Sequence, residues 1–307
     1  GAIHADGETS HYYSGGGSGG AIRLDVGTLS GTGWITADGG VGHPHQYDRA
    51  GGGGGGRIAV YADDMSGFPF ETNITCHGQV GWLASSAPDG QYSGTGTIYL
   101  RRGDAAGELR IDSHGEGAGR WTPLLGNAGR GSFNAEDMVI AGAGVVVVPE
   151  NESTTVTCDN LTILNGGVLA HFPATADTIY RLDLTVNDTL TIDADSAIDV
   201  SARGFPHQVV PPGVTPASYR CGASHGGMGG LGGDGRGLHV PKGRANDCYG
   251  SFRDPDLPGA GGGTTYPAGA IGAGGGVARI TAGTAQVAGR IAANGQNSGH
   301  QYTGGGA

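Results

Sequence analysis

Residues 19–40 read GGAIRLDVGTLSGTGWITADGG, and much of the chain is an imperfect copy of this stretch. It holds an alternating apolar run (Ile22, Leu24, Val26), a second apolar step (Ile35, Ala37), and glycine on every side. Its ending, apolar-x-small-x-Gly, recurs at Ile3-Ala5-Gly7, Ile74-Cys76-Gly78, Ile111-Ser113-Gly115, Val200-Ala202-Gly204 and Ile291-Ala293-Gly295. The third copy aligns with the first without a gap, 76 positions on, and the last does so 256 positions on. Repetition at this level points to stacked units, none long enough to bury its own apolar face. Period-two runs separated by Gly, Asn and Asp turns read as strands, and almost no helix is expected. The fold class is therefore all-β, a parallel β-solenoid. Ile22, Leu24 and Ile35 should form inward ladders, with Arg23, Asp25 and Thr36 facing out.

Sixty-six of the 307 residues are glycine, without a Gly-X-Y period, so collagen is excluded. Ordering a glycine run is entropically expensive and requires close neighbours that satisfy its amides. The runs at 15–20, 51–56, 226–233, 259–263 and 272–276 lie beside the same strand motif. They are expected to pack alongside the strands as polyproline-II-like segments; long loops are the other reading. One domain over 1–307 is expected: glycine-rich repeats at 1–134, strand-rich turns at 135–204, and glycine-rich repeats at 205–307.

The net charge is -11 and Lys242 is the only lysine, which argues against nucleic acid as a partner. No apolar run approaches the roughly 20 residues of a membrane span. Few charges and many small polar residues suit an extracellular or cell-surface protein. The chain opens in mid-repeat, as a mature or excised piece does, so the lack of a signal peptide says little about compartment.

The segments GGGSGGAIRL, GWITADGG and AGGGGGGRIAV, with GASHGGMGG, YGSFRDPDLPGAGGG, GGGVARI and GRIAANG, carry a resemblance. Together they resemble the glycine-rich β-helical repeats of very large bacterial surface and adhesin-like proteins, over 1–115 and 205–307. The resemblance implies an extracellular structural or adhesive role and brings no catalytic residues with it.

Cys221 and Cys248 flank one glycine-rich loop and could form a disulfide, while Cys76, which replaces Ala or Ser of other copies, suits a buried thiol. His43 and His45 could ligate a metal, and Asp234 ends a GGLGGD match to a calcium-binding nonapeptide whose following apolar position is Arg236. For the histidines a solvated loop is the simpler reading, the GGLGGD match is not repeated in tandem as stacked calcium sites are, and no cofactor is expected beyond a remote calcium site. His77 and His114 occupy equivalent places and could stack. Arg253-Asp254-Pro255-Asp256 reads as a turn. The carboxylates look scattered, so no catalytic residue and no enzyme is expected. Tyr47 and Trp82 are the candidate glycan contacts; Tyr12, Tyr13, Trp34 and Trp121 could also stack on sugars if exposed, and Trp34 could equally cap the end of a strand ladder. Asn73, Asn151, Asn160 and Asn187 begin glycosylation sequons.

The expected function is a subunit of a surface fibre. Incomplete repeats around Ile3, Ala5 and Gly7 at one end and Ile291, Ala293 and Gly295 at the other would stack head to tail with copies of the same chain. An adhesin or carbohydrate-binding segment and a β-helix polysaccharide lyase or hydrolase are the alternatives.

Overall fold

The computed structural model describes residues 1–11, 14–43, 50–81, 93–116, 118–125, 131–233, 242–264 and 272–297. The described chain is nearly all β, and its one helix is the single turn α1 (Phe70–Asn73). The strands form three sheets, and every pairing between them is parallel except one. Near the N-terminus the chain alternates between a short and a long sheet. β1 (Ala2–His4), β3 (Trp34–Thr36) and β5 (Ile74–Thr75) make the short sheet. β2 (Ala21–Ser30), β4 (Arg57–Gly67) and β6 (Thr97–Arg102) begin the long one.

The register is that of the repeat. Ile22 faces Ile58, which faces Ile98; Leu24 faces Val60, which faces Leu100. Ile3, Ile35 and Ile74 form the ladder of the short sheet. All of these side chains except the exposed Ile3, together with Cys76, make one core. Arg23 and Asp25 point outward as expected. Thr36 does not: it is buried, and so is its counterpart Thr75.

A side-chain ladder explains that difference. Thr36 Oγ1 donates to Asp6 Oδ2 at 2.9 Å and accepts from His4 Nδ1 at 2.7 Å. The Asp38 amide donates to Asp6 Oδ1 at 2.8 Å. One copy further on, Thr75 Oγ1 donates to Asp38 Oδ2 at 3.0 Å and the His77 amide to Asp38 Oδ1 at 2.5 Å. Each aspartate thus satisfies a buried hydroxyl and an amide of the next copy, as a buried polar group requires.

The third copy departs from the alignment. Gly103, at φ 55°, ends β6 early, and a tight turn reverses the chain. β7 (Glu108–Asp112) then returns antiparallel to β6, with Tyr99 opposite Leu109. Ile111 consequently leaves the ladder of Ile3, Ile35 and Ile74 for a second core. Beyond this seam the long sheet continues with β9 (Ser132–Asn134), β10 (Asp137–Ala141), β12 (Thr155–Cys158), β13 (Asn160–Leu164), β15 (Leu182–Ile192) and β17 (Ala278–Val287). A second short sheet holds β8 (Trp121–Leu124), β11 (Val146–Pro149), β14 (Val168–Leu169), β16 (Ala197–Asp199) and β18 (Arg290–Ala292). Here Ile198, not Val200, faces Ile291, a two-residue slip from the sequence alignment that keeps the same residues inward.

The glycine runs are held by backbone hydrogen bonds that recur every third residue. Gly16 and Gly19 donate to the carbonyls of Gly51 and Gly54, at 3.0 and 2.9 Å. Gly17 and Gly20 donate to Glu8 and Ala5, at 3.0 and 2.6 Å, and Gly53 and Gly56 to Gly40 and Ala37, at 2.9 and 2.7 Å. Glycine is needed here for space. None of the glycines in 15–20 and 51–56 takes a left-handed φ. A β-carbon at Gly53, however, would lie 1.8 Å from the Gly17 carbonyl oxygen, and one at Gly19 would lie 2.0 Å from that of Ala37.

His171 ties the middle of the chain to its last long strand. It is buried, donates from Nδ1 to the Phe172 carbonyl at 2.7 Å and accepts the Val277 amide on Nε2 at 3.1 Å. Burial pushes its pKa down to about 4. Because the folded value lies below the ordinary one, the neutral ring's contribution is complete above about pH 6.5 and is lost as the pH falls towards 4.

Gly53→Ala should cost about 3 kcal/mol or more in urea unfolding, the top of the usual overpacking range. Gly54→Ala, whose β-carbon would sit 3.7 Å from the nearest atom, should stay within about 1 kcal/mol of wild type. In the same assay, stability should drop by roughly 3 kcal/mol between pH 6.5 and 4 on account of His171, and His171→Gln should flatten that slope.

Candidate functional site

The seam between the two cores creates a groove of about 910 Å³. β3 and α1 supply Trp34, Glu71 and Thr72 on one side, and β7 supplies Arg110 and Asp112 on the other. Its floor continues over Val139 and Thr162, which lie in register beside Arg110 on the outward face of the long sheet. Asn165, in the turn after β13, also lines it.

The one cation among the described residues that line the groove, Arg110, is paired. Arg110 Nε donates to Glu108 Oε1 at 3.0 Å, and a terminal nitrogen donates to Asp112 Oδ2 at 3.4 Å. Alternate residues of one strand face the same side, so Glu-x-Arg-x-Asp lines up unaided. Asp112 also accepts the His114 amide at 2.8 Å, which fixes the turn after β7.

His77 and His114 meet here, their ring centroids 5.4 Å apart and their planes tilted by 56°, so they touch side by side rather than stacking as rungs. His114 Nε2 lies 3.0 Å from the Glu71 carbonyl, an obligate acceptor, and therefore carries the proton. His114 Nδ1 then accepts from His77 Nε2 at 3.2 Å. The remaining His77 nitrogen is 4.0 Å from Asp38 Oδ1. Burial lowers the His77 pKa, against the pull of Asp38 in the other direction.

Acid and base groups that look scattered in sequence are thus gathered at one place. Trp34 and Arg110 precede Ile35 and Ile111 by one residue and so hold the same position in two copies. That equivalence, with the charge alternation of residues 108–112, was the available signal. What hid the site was the reversal at Gly103, which sets β7 in register beside β10 within the long sheet.

The other singled-out residues are dispersed. Tyr47, Trp82, His45 and Asp234 lie outside the described residues. The His43 amide is held by Ser10 Oγ at 2.7 Å and the Ser14 carbonyl at 3.2 Å. Among the described residues no group of three or more His, Cys, Asp or Glu is arranged to hold a metal ion. No bridge joins Cys221 and Cys248 in this structure: Cys221 is a buried thiol whose sulfur accepts the Gly232 amide at 3.1 Å, and Cys248 is exposed. Cys76 is a free, buried thiol with its pKa raised by burial, and burial likewise pushes Cys158 up to about 12. Asp254 pairs with Arg279 at 2.8 Å, while Ser251 Oγ accepts the amides of Arg253 and Asp254, so this segment is a turn. Among the described residues no helix is long and apolar enough to cross a membrane.

Both ends of the stack expose core positions. Ile3 is 43% and Ile291 48% exposed, whereas Ile35, Ile74 and Ile198 of the same ladders are at most 1% exposed. Among the described residues nothing pairs with the outer edge of β2 or β17. Ala5 and Gly7 follow Ile3 along Thr36 and Asp38, to whose carbonyls their amides donate at 2.8 and 2.7 Å. Ala293 and Gly295 follow Ile291 in the corresponding place.

Comparison of the chain with protein-family models, with curated proteins and with solved structures finds no match.

The histidine pair gives a third prediction. In NMR pH titrations of the ring nitrogens, His77 should titrate below the ordinary value of about 6.5. Asp38→Asn should lower it further, because the aspartate is the counter-charge that favours the imidazolium. A midpoint at or above the ordinary value, unmoved by the substitution, would contradict the arrangement.

Proposed function

We propose that the protein is a structural β-solenoid of a surface assembly, whose ends stack on further copies of the same chain. The observation that carries this reading is the exposure of Ile3 and Ile291, end rungs of ladders whose inner members are sealed. Exposed core positions beside open strand edges invite strand addition. Contact between two different ends is heterologous, and such contacts repeat into filaments unless they close into a ring. Stacking β18 of one copy on β1 of the next would continue the isoleucine ladder.

Support for the solenoid comes from the chain's alternation between long and short sheets and from the parallel register of successive units. Support for a polyproline-II-like glycine layer comes from hydrogen bonds repeating every third residue, the turn length of that helix. The low lysine content and sparse charge fit a cell-surface or extracellular setting.

The test is self-association. Sedimentation across micromolar to millimolar protein should show growing species, with filaments in negative stain. Ile291→Glu should abolish them and leave the far-UV spectrum unchanged. A monomer at every concentration, with no filaments, would end the proposal.

A further inference from the structure

The groove at the seam has a chemistry that end-to-end stacking leaves unused. We propose that it is a binding site for a neutral oligosaccharide.

Shape is the first argument. At about 910 Å³ the groove is near the top of the range for small-ligand sites, roughly 300–1,000 Å³, and it runs along an outward sheet face. Those proportions suit a short chain of linked rings better than a compact metabolite. Trp34 stands at its edge with 48% of its surface exposed. An exposed indole offers a flat apolar face, and the axial C–H groups of a pyranose present a complementary one.

The polar groups make the second argument. Arg110 and Asp112 stand side by side on β7, a planar fork of donors next to a carboxylate. Thr162 and Asn165 follow across the floor. Neighbouring hydroxyls of a sugar each donate and accept, and adjacent donor and acceptor groups meet both needs.

Charge decides between sugar classes. Arg110 is already matched by Glu108 and Asp112, and Glu71 adds another carboxylate to the rim. The histidine pair is hydrogen-bonded in its neutral form. No uncompensated cation remains in this lining for a uronate, sulfate or phosphate, so an anionic ligand would meet net repulsion. A neutral polyol meets none.

The experiment is an array of neutral hexose oligosaccharides and uronate-containing oligosaccharides of equal length, probed with the full chain. Wild type should bind neutral spots and leave uronate spots blank. Trp34→Ala should weaken binding about tenfold, the worth of one aromatic contact. Thr162→Trp should block it by filling the floor while removing no structural hydrogen bond. Far-UV spectra and melting curves of both variants check that they fold, and if Trp34→Ala does not, Thr162→Trp carries the test. A blank array, a preference for uronates, or undiminished binding by folded Thr162→Trp would overturn the proposal. Ile291→Glu should bind as wild type does, which separates this result from the outcome for assembly.

Discussion

Backbone lying directly against backbone is the constraint on which the rest of this structure depends. Where a carbonyl oxygen occupies the place a β-carbon would take, as Gly17 does for Gly53, only glycine is admitted. The composition of the chain follows from that geometry. The small residue of the repeat sits at the same close approach: a β-carbon at Gly20 would lie 3.3 Å from that of Ala5, and one at Gly96 would lie 2.9 Å from that of Cys76. The entropy lost in ordering glycine is offset by amides bonded to neighbouring segments and by close contact over long stretches.

A second chain of interactions sets the register between copies. Aspartate at 6 and 38 links one copy to the threonine and amide of the next. At 77 and 114 histidine stands in the aspartate's place, and there the simple stack ends. The reversed strand β7 replaces a further rung of the short sheet, and the space it leaves becomes the groove. An interruption of a regular stack thus gathers the charged and aromatic side chains, while the regular parts keep theirs apart.

Much of the architecture was legible in the sequence because it rests on local pattern. Alternation at Ile22, Leu24 and Val26, and again at Ile58 and Val60, is a period-two signal that needs no tertiary information. The parallel pairing of these copies followed from their alignment. Thr36 was misplaced because its burial depends on Asp6, thirty residues away, and period alone assigns it to solvent. The departure of Ile111 rests on the conformation of Gly103, which looks like any other glycine in this chain. Trp34, Glu71 and the Arg110–Asp112 pair come from three separate segments, and only that turn brings them to one groove. The offset between Ile198 and Val200 was hidden because a two-residue slip leaves the apolar pattern unchanged.

Amide hydrogen exchange tests the central claim most directly. If the glycine segments form a packed layer, the amides of Gly16, Gly19, Gly53 and Gly56 will exchange as slowly as those of Ile58 and Val60 in the core strand, and will open only with global unfolding. Exchange at the rate of an unstructured glycine peptide, while the strands stay protected, would show that the runs are loops and contradict the account.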